Sequence, residues 1–409
     1  MIHQRHALVF VTFTVFLDTV GFGIIMPILP SFLMELATVT LPEASALAGY
    51  LVVAYAGLQF LFAPIIGNLS DRFGRRPVLL ISLAMYSINY LIAGLATTLW
   101  VLFLGRFLTG ITSATYATAN ALIADVSSPE ERAQNFGLMG VAFGMGFIVG
   151  PSLGGFLGGI DIRLPFFAAA GLAALNTTYG YFVLRETLGQ DNRRKFDWRR
   201  ANPLGMLMQL RKYPVLVGLI SVMFIFGIGH HVYPSNWNFY TIEKFGWTPW
   251  EIGVSMGIVG LLTAFTQGYL IRIIIPKWGA PTTAIVGFTI AATAYLGIAF
   301  APTSGALYAW CVFSAFAGIS GPAIAGIMSN QVPQNEQGEL QGINASLGSI
   351  TAIIGPLLMT QSFSYFTGPE TPYYLPGVAF LIAAVLAVVA VIIFTFSARV
   401  LDLRLPPAT

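Results

Sequence analysis

The sequence predicts an all-α membrane protein: twelve transmembrane helices in two pseudo-symmetric six-helix bundles. Three observations predict it. The first is composition. Of 409 residues, 56% are hydrophobic and 9% charged, against about 25% charged in soluble domains, and the mean hydropathy is +0.76. The second is the run of apolar stretches long enough to span a bilayer, which takes about 20 residues. They read near 7–29, 45–66, 78–98, 100–125, 134–158, 164–184, 213–240, 250–275, 281–301, 305–330, 338–366 and 374–397. The third is an internal repeat. Gly150-Pro151 recurs as Gly355-Pro356, 205 residues on, and the same offset relates Gly137 to Gly342, Glu131 to Glu336 and Asp125 to Asn330. Parallel repeats of this kind build two-bundle transporters with the substrate near the midplane.

The longest polar stretch, 185–212, divides the spans six and six. The expected organisation is an N-terminal bundle over 1–184, a cytoplasmic linker over 185–212 and a C-terminal bundle over 213–409. The Arg/Lys excess of the linker favours anionic lipid. Arg5, Arg72, Arg75, Arg76, Arg132, the linker, Arg272, Lys277, Arg399 and Arg404 fall on one side of the membrane, and Arg163 and Lys244 on the other. By the positive-inside rule both termini are cytoplasmic, as expected for a multi-pass protein of the cell inner membrane. The first span is too long for a signal peptide, contains Asp18, and ends at Pro27 and Pro30.

The net charge of +3 is accounted for by these loops, so no nucleic acid partner is expected. One cysteine, Cys311, allows no internal disulfide. There is no Cys/His cluster with metal spacing and no Walker-type phosphate loop, so neither metal, cofactor nor ATP is expected. No nucleophile–base or paired-acid constellation lies at membrane depth, so the chain reads as a non-enzyme.

Along the chain, LDTVGFGIIMPILP (17–30) sets Asp18 about 11 residues into the first span, or roughly 16 Å at 1.5 Å per residue, near the midplane of a core about 30 Å thick. An intramembrane acid is a functional group by default; the alternative is a static hydrogen-bonded carboxyl. Tyr55 and Gln59 lie one turn apart in the second span. GNLSDRFGRRPVLL (67–80) joins the second and third spans, with glycine for a tight turn and Asp71, Arg72, Arg75 and Arg76 holding the loop at the surface. LGRFLTGITSAT (104–115) puts Arg106 inside the fourth span, either functional or snorkelling outward; Tyr116 and Asn120 follow, one turn apart. The fifth span carries Gly137, Gly146, Gly150, Pro151, Gly154 and Gly155, spelling G-x8-G-x3-G-P-x2-G-G. Small residues on one face let a neighbouring helix approach closely and a proline bends the span. GHHVYPSNWNFY (229–240) gives the seventh span a proline bend and an aromatic–amide cluster that includes His231, Asn236 and Trp237. Gln267 and Asn344 complete the interior polar set. Each polar residue alone reads as helix–helix glue or as ligand contact.

These motifs resemble those of the proton-coupled drug antiporters of the major facilitator superfamily, and above all the tetracycline efflux transporters. The likeness runs through nearly the whole chain and is strongest over 17–160; GELQGINASLGSITAIIGPLL (338–358) also fits it. The resemblance implies the major facilitator fold and drug:proton antiport, with the fifth-helix glycines as the antiporter signature. It implies proton coupling at Asp18 and Arg106. It implies a gating set of Gly67, Asp71, Arg72, Gly74, Arg75, Arg76 and Asp125, in which Asp71 meets a helix end and Arg75 pairs with Asp125. Three family positions differ: the third-helix carboxylate falls at Asn89, the eighth-helix histidine near Thr263 and the ninth-helix carboxylate near Ala291. These groups serve proton coupling and the charged drug–metal complex.

The sequence therefore reads as a transporter that exports a small amphipathic drug-like compound in exchange for protons, contacting it through Tyr55, Gln59, Asn89, Tyr116, Asn120, His231, Asn236, Trp237, Gln267 and Asn344. The expected partners are that small molecule, protons and the lipid bilayer, with the chain a monomer. Two rivals remain: a proton-linked importer or facilitator of a small metabolite, and a non-transporting membrane sensor.

Overall fold

The computed structural model describes residues 2–112, 115–126, 132–190, 216–333 and 336–401, together with 193, 196 and 213. Among these, every regular element is helical. In chain order the helices are α1 (Ile2–Ile25), α2 (Leu29–Ala37), α3 (Leu41–Phe73), α4 (Arg75–Leu95), α5 (Leu99–Thr112), α6 (Thr115–Val126), α7 (Arg132–Gly158), α8 (Leu164–Val183), α9 (Val217–His230), α10 (Val232–Phe245), α11 (Pro249–Phe265), α12 (Ile271–Ala299), α13 (Ser304–Ala315), α14 (Ser320–Asn330), α15 (Gln337–Thr367) and α16 (Val378–Val400).

Nine uninterrupted helical stretches among the described residues are long and apolar enough to cross a bilayer. One of them, Pro249–Ala299, holds two spans, because Gly279 takes φ 76° and ψ 157° in its middle. The α5–α6 pair and α8 supply the other two, giving the twelve-helix architecture the sequence implies. Several helices overrun the expected spans: α3 continues to Phe73 and α4 starts at Arg75. The apolar stretch marks what sits in lipid, whereas the helix itself extends into water where its charged residues lie.

Chain punctuation explains the boundaries. Thr40 and Glu43 form a capping box at the start of α3, the Thr40 N–H and hydroxyl both donating to the Glu43 carboxylate at 2.8 Å. Thr248 and Glu251 repeat the device for α11 at 2.8 and 2.9 Å. The three-residue 3₁₀ turn Met26–Ile28, with Pro27 inside it, separates α1 from α2. His231 separates α9 from α10, and Pro234 falls in the first turn of α10, where its missing N–H costs nothing.

The chain forms two compact units. One comprises Met1–Val39, Ala54–Pro203 and Trp247–Gly257, and the other Thr40–Val53, Leu204–Gly246 and Ile258–Thr409. The first unit has a core around Phe10, Val15, Leu79, Leu83, Leu122 and Ile123. The second has one around Leu219, Phe288, Ile324, Met328, Ile343 and Phe394. Large apolar side chains such as Leu175, Phe182 and Val388 remain exposed, which suits a surface that faces lipid tails.

Candidate functional site

At the α3–α4 turn one residue reverses the chain. Gly74 has φ 108° and ψ 161°, a backbone state glycine reaches without the Cβ penalty. Gly67 lies inside α3 with open space where a Cβ would stand, so the tight turn rests on Gly74 and does not need Gly67. Immediately after it, the Arg75 guanidinium joins two acids: Nη1 is 2.5 Å from Asp71 Oδ1 and Nε is 3.1 Å from Asp125 Oδ2. Ser70 Oγ accepts a further bond from Nη1 at 3.2 Å. Arg75 is 11% exposed and its partners Asp71 and Asp125 are 37% and 23% exposed. The guanidinium is the sheltered member of both pairs, and its several hydrogen bonds hold its geometry better than a single exposed pair would. The Arg76 guanidinium donates to the Tyr181 carbonyl at 2.7 Å and lies over the Tyr181 ring. Arg72 is exposed, over Phe73.

Deeper in the first unit, Asp18 is half-buried on α1. Three residues on, and so on the same face, Gly21 leaves room for the Tyr90 hydroxyl: a Cβ there would stand 3.2 Å from that oxygen. Tyr90 follows Tyr86 by one turn of α4, with ring centroids 6.3 Å apart. The Tyr86 and Tyr55 hydroxyls are 3.3 Å apart. Asp18 and Arg106 both lie within electrostatic range of Tyr90. The structure thus gathers Asp18, Tyr55 and Arg106 around two tyrosines that the sequence reading passed over. The signal lies in the i, i+4 spacing, which sets Tyr86 and Tyr90 on one face of α4. Asn89 itself is 4% exposed, and its Oδ1 packs where a Cβ on Gly105 would stand, at 2.7 Å. Gln59 is half-buried. The side chains of Tyr116, Asn120 and Gly137 lie outside the described residues.

The fifth-helix glycines serve two neighbours. Gly146, Gly150 and Gly154, spaced by one turn, meet α1: a Cβ on each would stand 2.6 Å from Thr19 Cβ, 2.8 Å from the Val20 carbonyl oxygen and 2.0 Å from the Ile24 carbonyl oxygen. Gly155 faces α11, where a Cβ would lie 2.4 Å from the Pro249 carbonyl oxygen and 3.2 Å from Gly253 Cα. A Cβ on Gly253 would in turn lie 2.5 Å from the Pro151 carbonyl oxygen. These are backbone-to-backbone approaches that no larger side chain permits.

In the second unit, His230 Nδ1 is 3.2 Å from the Tyr295 hydroxyl. Tyr233 sits among Trp237, Tyr295 and Phe380 at ring-centroid distances of 6.0, 5.6 and 5.8 Å. His231 packs on Gly355, the repeat partner of Gly150. Asn236 is fully buried with neither amide atom hydrogen-bonded, and Trp237 is 3% exposed. A five-residue π-helical turn, Thr266–Leu270, follows α11, and a 3₁₀ turn, Phe316–Ile319, follows α13. Gln267 in the first reaches Gly318 in the second, its Nε2 3.5 Å from where a Cβ would be, and Thr263 lies beside it at 3.7 Å. π-Turns recur at functional sites because they unsettle the helical hydrogen-bond ladder. Ala291 is 2% exposed. Asn344 is half-buried, and its Oδ1 makes no hydrogen bond. No group of three or more metal-ligating side chains occurs among the described residues.

Twelve spans, a charged α3–α4 turn and a glycine-faced fifth span define a class of membrane transporter. The family model described as Major Facilitator Superfamily matches residues 11–356 and 277–402, and the chain belongs to that superfamily, as a tetracycline-efflux-like member of it. It is 38% identical over 361 residues to the tetracycline resistance protein, class C, of Escherichia coli, covering 88% of this chain and 90% of that one. It is 34% identical over 387 residues to the class H protein of Pasteurella multocida, covering 94% of each. The same fold recurs in a bacterial homologue of the human lysosomal transporter Spinster, at a TM-score of 0.79 and 18% identity over the whole of both chains.

Proposed function

We propose that this transporter exports a weakly charged, planar amphipathic compound in exchange for protons by alternating access, with Asp18 as the proton-carrying group. The observation that carries the reading is the placement of Asp18. Among the described residues it is the one carboxylate at mid-span, and it shares a face of α1 with the glycine that admits the Tyr90 hydroxyl. Burial makes a charged carboxylate costly, so protonation and release at this depth change the polar surroundings that a substrate meets. Arg106 tunes that balance. One charge moved across the membrane is worth about 2.3 kcal/mol per 100 mV, enough to drive modest accumulation.

The kinship to tetracycline-resistance proteins supports efflux as the direction. The substrate class is argued from what differs. Asn89, Thr263 and Ala291 stand where the tetracycline exporters have charged or titratable groups, and Asn89 and Ala291 are buried. An uncompensated charge is expensive to bury, so a drug–metal complex is a poor cargo here. Aromatic rings and amides suit a planar neutral one: Tyr55 and Gln59 in one unit, and Trp237, Gln267 and Asn344 in the other. In the cell inner membrane, with both termini in the cytoplasm, the 67–78 turn lies on the cytoplasmic side and acts as a gate.

Proteoliposomes with an imposed pH gradient test both parts. Wild-type protein should move a neutral planar dye, and Asp18→Asn should insert normally yet lose gradient-driven transport to below about 1%. Full gradient-driven transport by Asp18→Asn overturns the role of Asp18. Metal-dependent tetracycline transport faster than that of the dye overturns the substrate class.

A further inference from the structure

Glu186 stands three residues beyond the end of α8, at the head of the charged linker, where composition alone gives it no role. Its carboxylate is fully engaged. Oε1 accepts from the Arg75 N–H at 2.8 Å and from the N–H groups of Thr187 and Leu188, each at 3.0 Å. Oε2 accepts from the Arg76 N–H at 3.3 Å. Gly74, the residue in front of α4, has no side chain with which to cap that helix. A Cβ on Gly74 would stand 2.1 Å from Glu186 Oε2, so the glycine that turns the chain also makes room for the distant carboxylate that caps it. Orphan N–H groups of a first turn and the helix dipole both favour a negative group there.

The capped residue is the one whose side chain holds Asp71 and Asp125 together. The same junction touches that network once more, and the end of α8 holds the neighbouring Arg76. The Thr187 hydroxyl donates to Asp125 Oδ2 at 3.5 Å, and Arg76 donates to the Tyr181 carbonyl. From Glu186, then, the chain reaches the backbone of Arg75, the acid beside it and its own first linker amides.

We propose that Glu186 is a positioning residue of the gate: by fixing the first turn of α4 it sets the Arg75 guanidinium between Asp71 and Asp125, and it ties the head of the linker to that network. This rests on the reading of the 67–78 turn as a gate. Full-length protein carrying Glu186→Ala should turn over about tenfold more slowly, with substrate Kd changed by less than about twofold. Amide hydrogen exchange at Arg75 and Arg76 should speed up, by about tenfold or more. Glu186→Gln, whose amide oxygen can still accept from Arg75, Thr187 and Leu188, should recover most of the turnover and the protection. Unchanged exchange and turnover in Glu186→Ala overturn the proposal, as does a loss of substrate binding equal to the loss of turnover. Arg75→Ala separates the two levels. If it too leaves turnover intact, the gate reading falls and this inference with it; if Arg75→Ala is slow while Glu186→Ala is not, only this inference falls.

Discussion

The helix α4 and the part of α12 beyond Gly279 are two copies of one element, and their ends have diverged to different degrees. Gly74 and Gly279 are 205 residues apart and share a backbone state, φ 108° and ψ 161° against φ 76° and ψ 157°. At that offset 67–78 falls on 272–283, and the turn survives although most residues around it differ. Most of the charge disappeared: Asp71, Arg75, Arg76 and Asp125 correspond to Pro276, Ala280, Pro281 and Asn330, and Arg72 alone keeps a cation, at Lys277. At the far ends the copies agree again. Arg163 donates to the Gly94 and Ala96 carbonyls at 2.9 and 2.8 Å, and Lys244 donates to the Ala299 carbonyl at 3.0 Å. Cations belong on the last carbonyls of a helix, and Gly94 and Ala299 are again 205 residues apart. The turn and the terminal cation are what the helix pair requires to exist. The ion-paired start belongs to one copy.

That division can be broken experimentally, and the largest effect should come from the charged start. Asp71→Asn should slow turnover by about tenfold or more with little change in substrate Kd, because it loosens a network and touches no ligand. Lys277→Gln, which removes the neighbouring charge of the other copy, should stay within about twofold of wild type. Equal losses from the two substitutions would erase the functional difference between the copies.

A smaller effect separates the two glycines. Alanine at either position meets a backbone strain of about 1–3 kcal/mol, because this region is essentially restricted to glycine. At Gly74 it also collides with Glu186, whereas at Gly279 the nearest atom beyond the chain neighbours is Pro281 Cδ, at 3.8 Å. Thermal unfolding should therefore drop further for Gly74→Ala than for Gly279→Ala. The reverse order would mean that the Glu186 carboxylate moves aside freely.

The smallest effect concerns the acids near the two terminal cations. Glu35 lies 3.9 Å from Arg163, whereas Glu243 accepts from the Tyr374 hydroxyl at 2.6 Å. Partial burial, and then the Glu243 carboxylate, push the Tyr374 phenol up from 10.0 to about 12. A raised value means that this contact stabilises the fold fully below pH 10.0 and stops doing so as pH rises through about 12. Phenolate absorbance should show one tyrosine titrating near 12 in the wild type and earlier in Glu243→Gln; an identical titration would show that the carboxylate is not its partner.

Much of this was legible beforehand, for physical reasons that differ by residue. The spans followed from apolar length, and the pairing of Arg75 with Asp125 from the resemblance to the drug antiporters' charged loop. The six fifth-span positions announced close packing, although a linear spacing could not say that Gly155 serves a different neighbour from Gly146, Gly150 and Gly154. Tyr86 and Tyr90 were missed because tyrosines in an apolar span look like any aromatic packing until a glycine opposite them is seen. Glu186 was missed because a carboxylate at the head of a charged stretch resembles its neighbours, and two of its four amide partners come from a distant stretch of chain. Thr263 and Ala291 were read from what they lack, and the surroundings of Thr263 emerged only with the π and 3₁₀ turns.

The contact of α7 with α1 has a mechanical consequence. Thr19, whose Cβ lies 2.6 Å from where a Cβ on Gly146 would be, is the residue next to Asp18. With Val20 and Ile24 it meshes with three glycines one turn apart, leaving no clearance through which the helices could slip past each other by less than a full tooth. Such a pair behaves as a rack without backlash. The glycine contacts thus run from α11 at Gly155, through α7, to the stretch of α1 that carries Asp18, and a shift of α7 along its axis must carry that stretch with it.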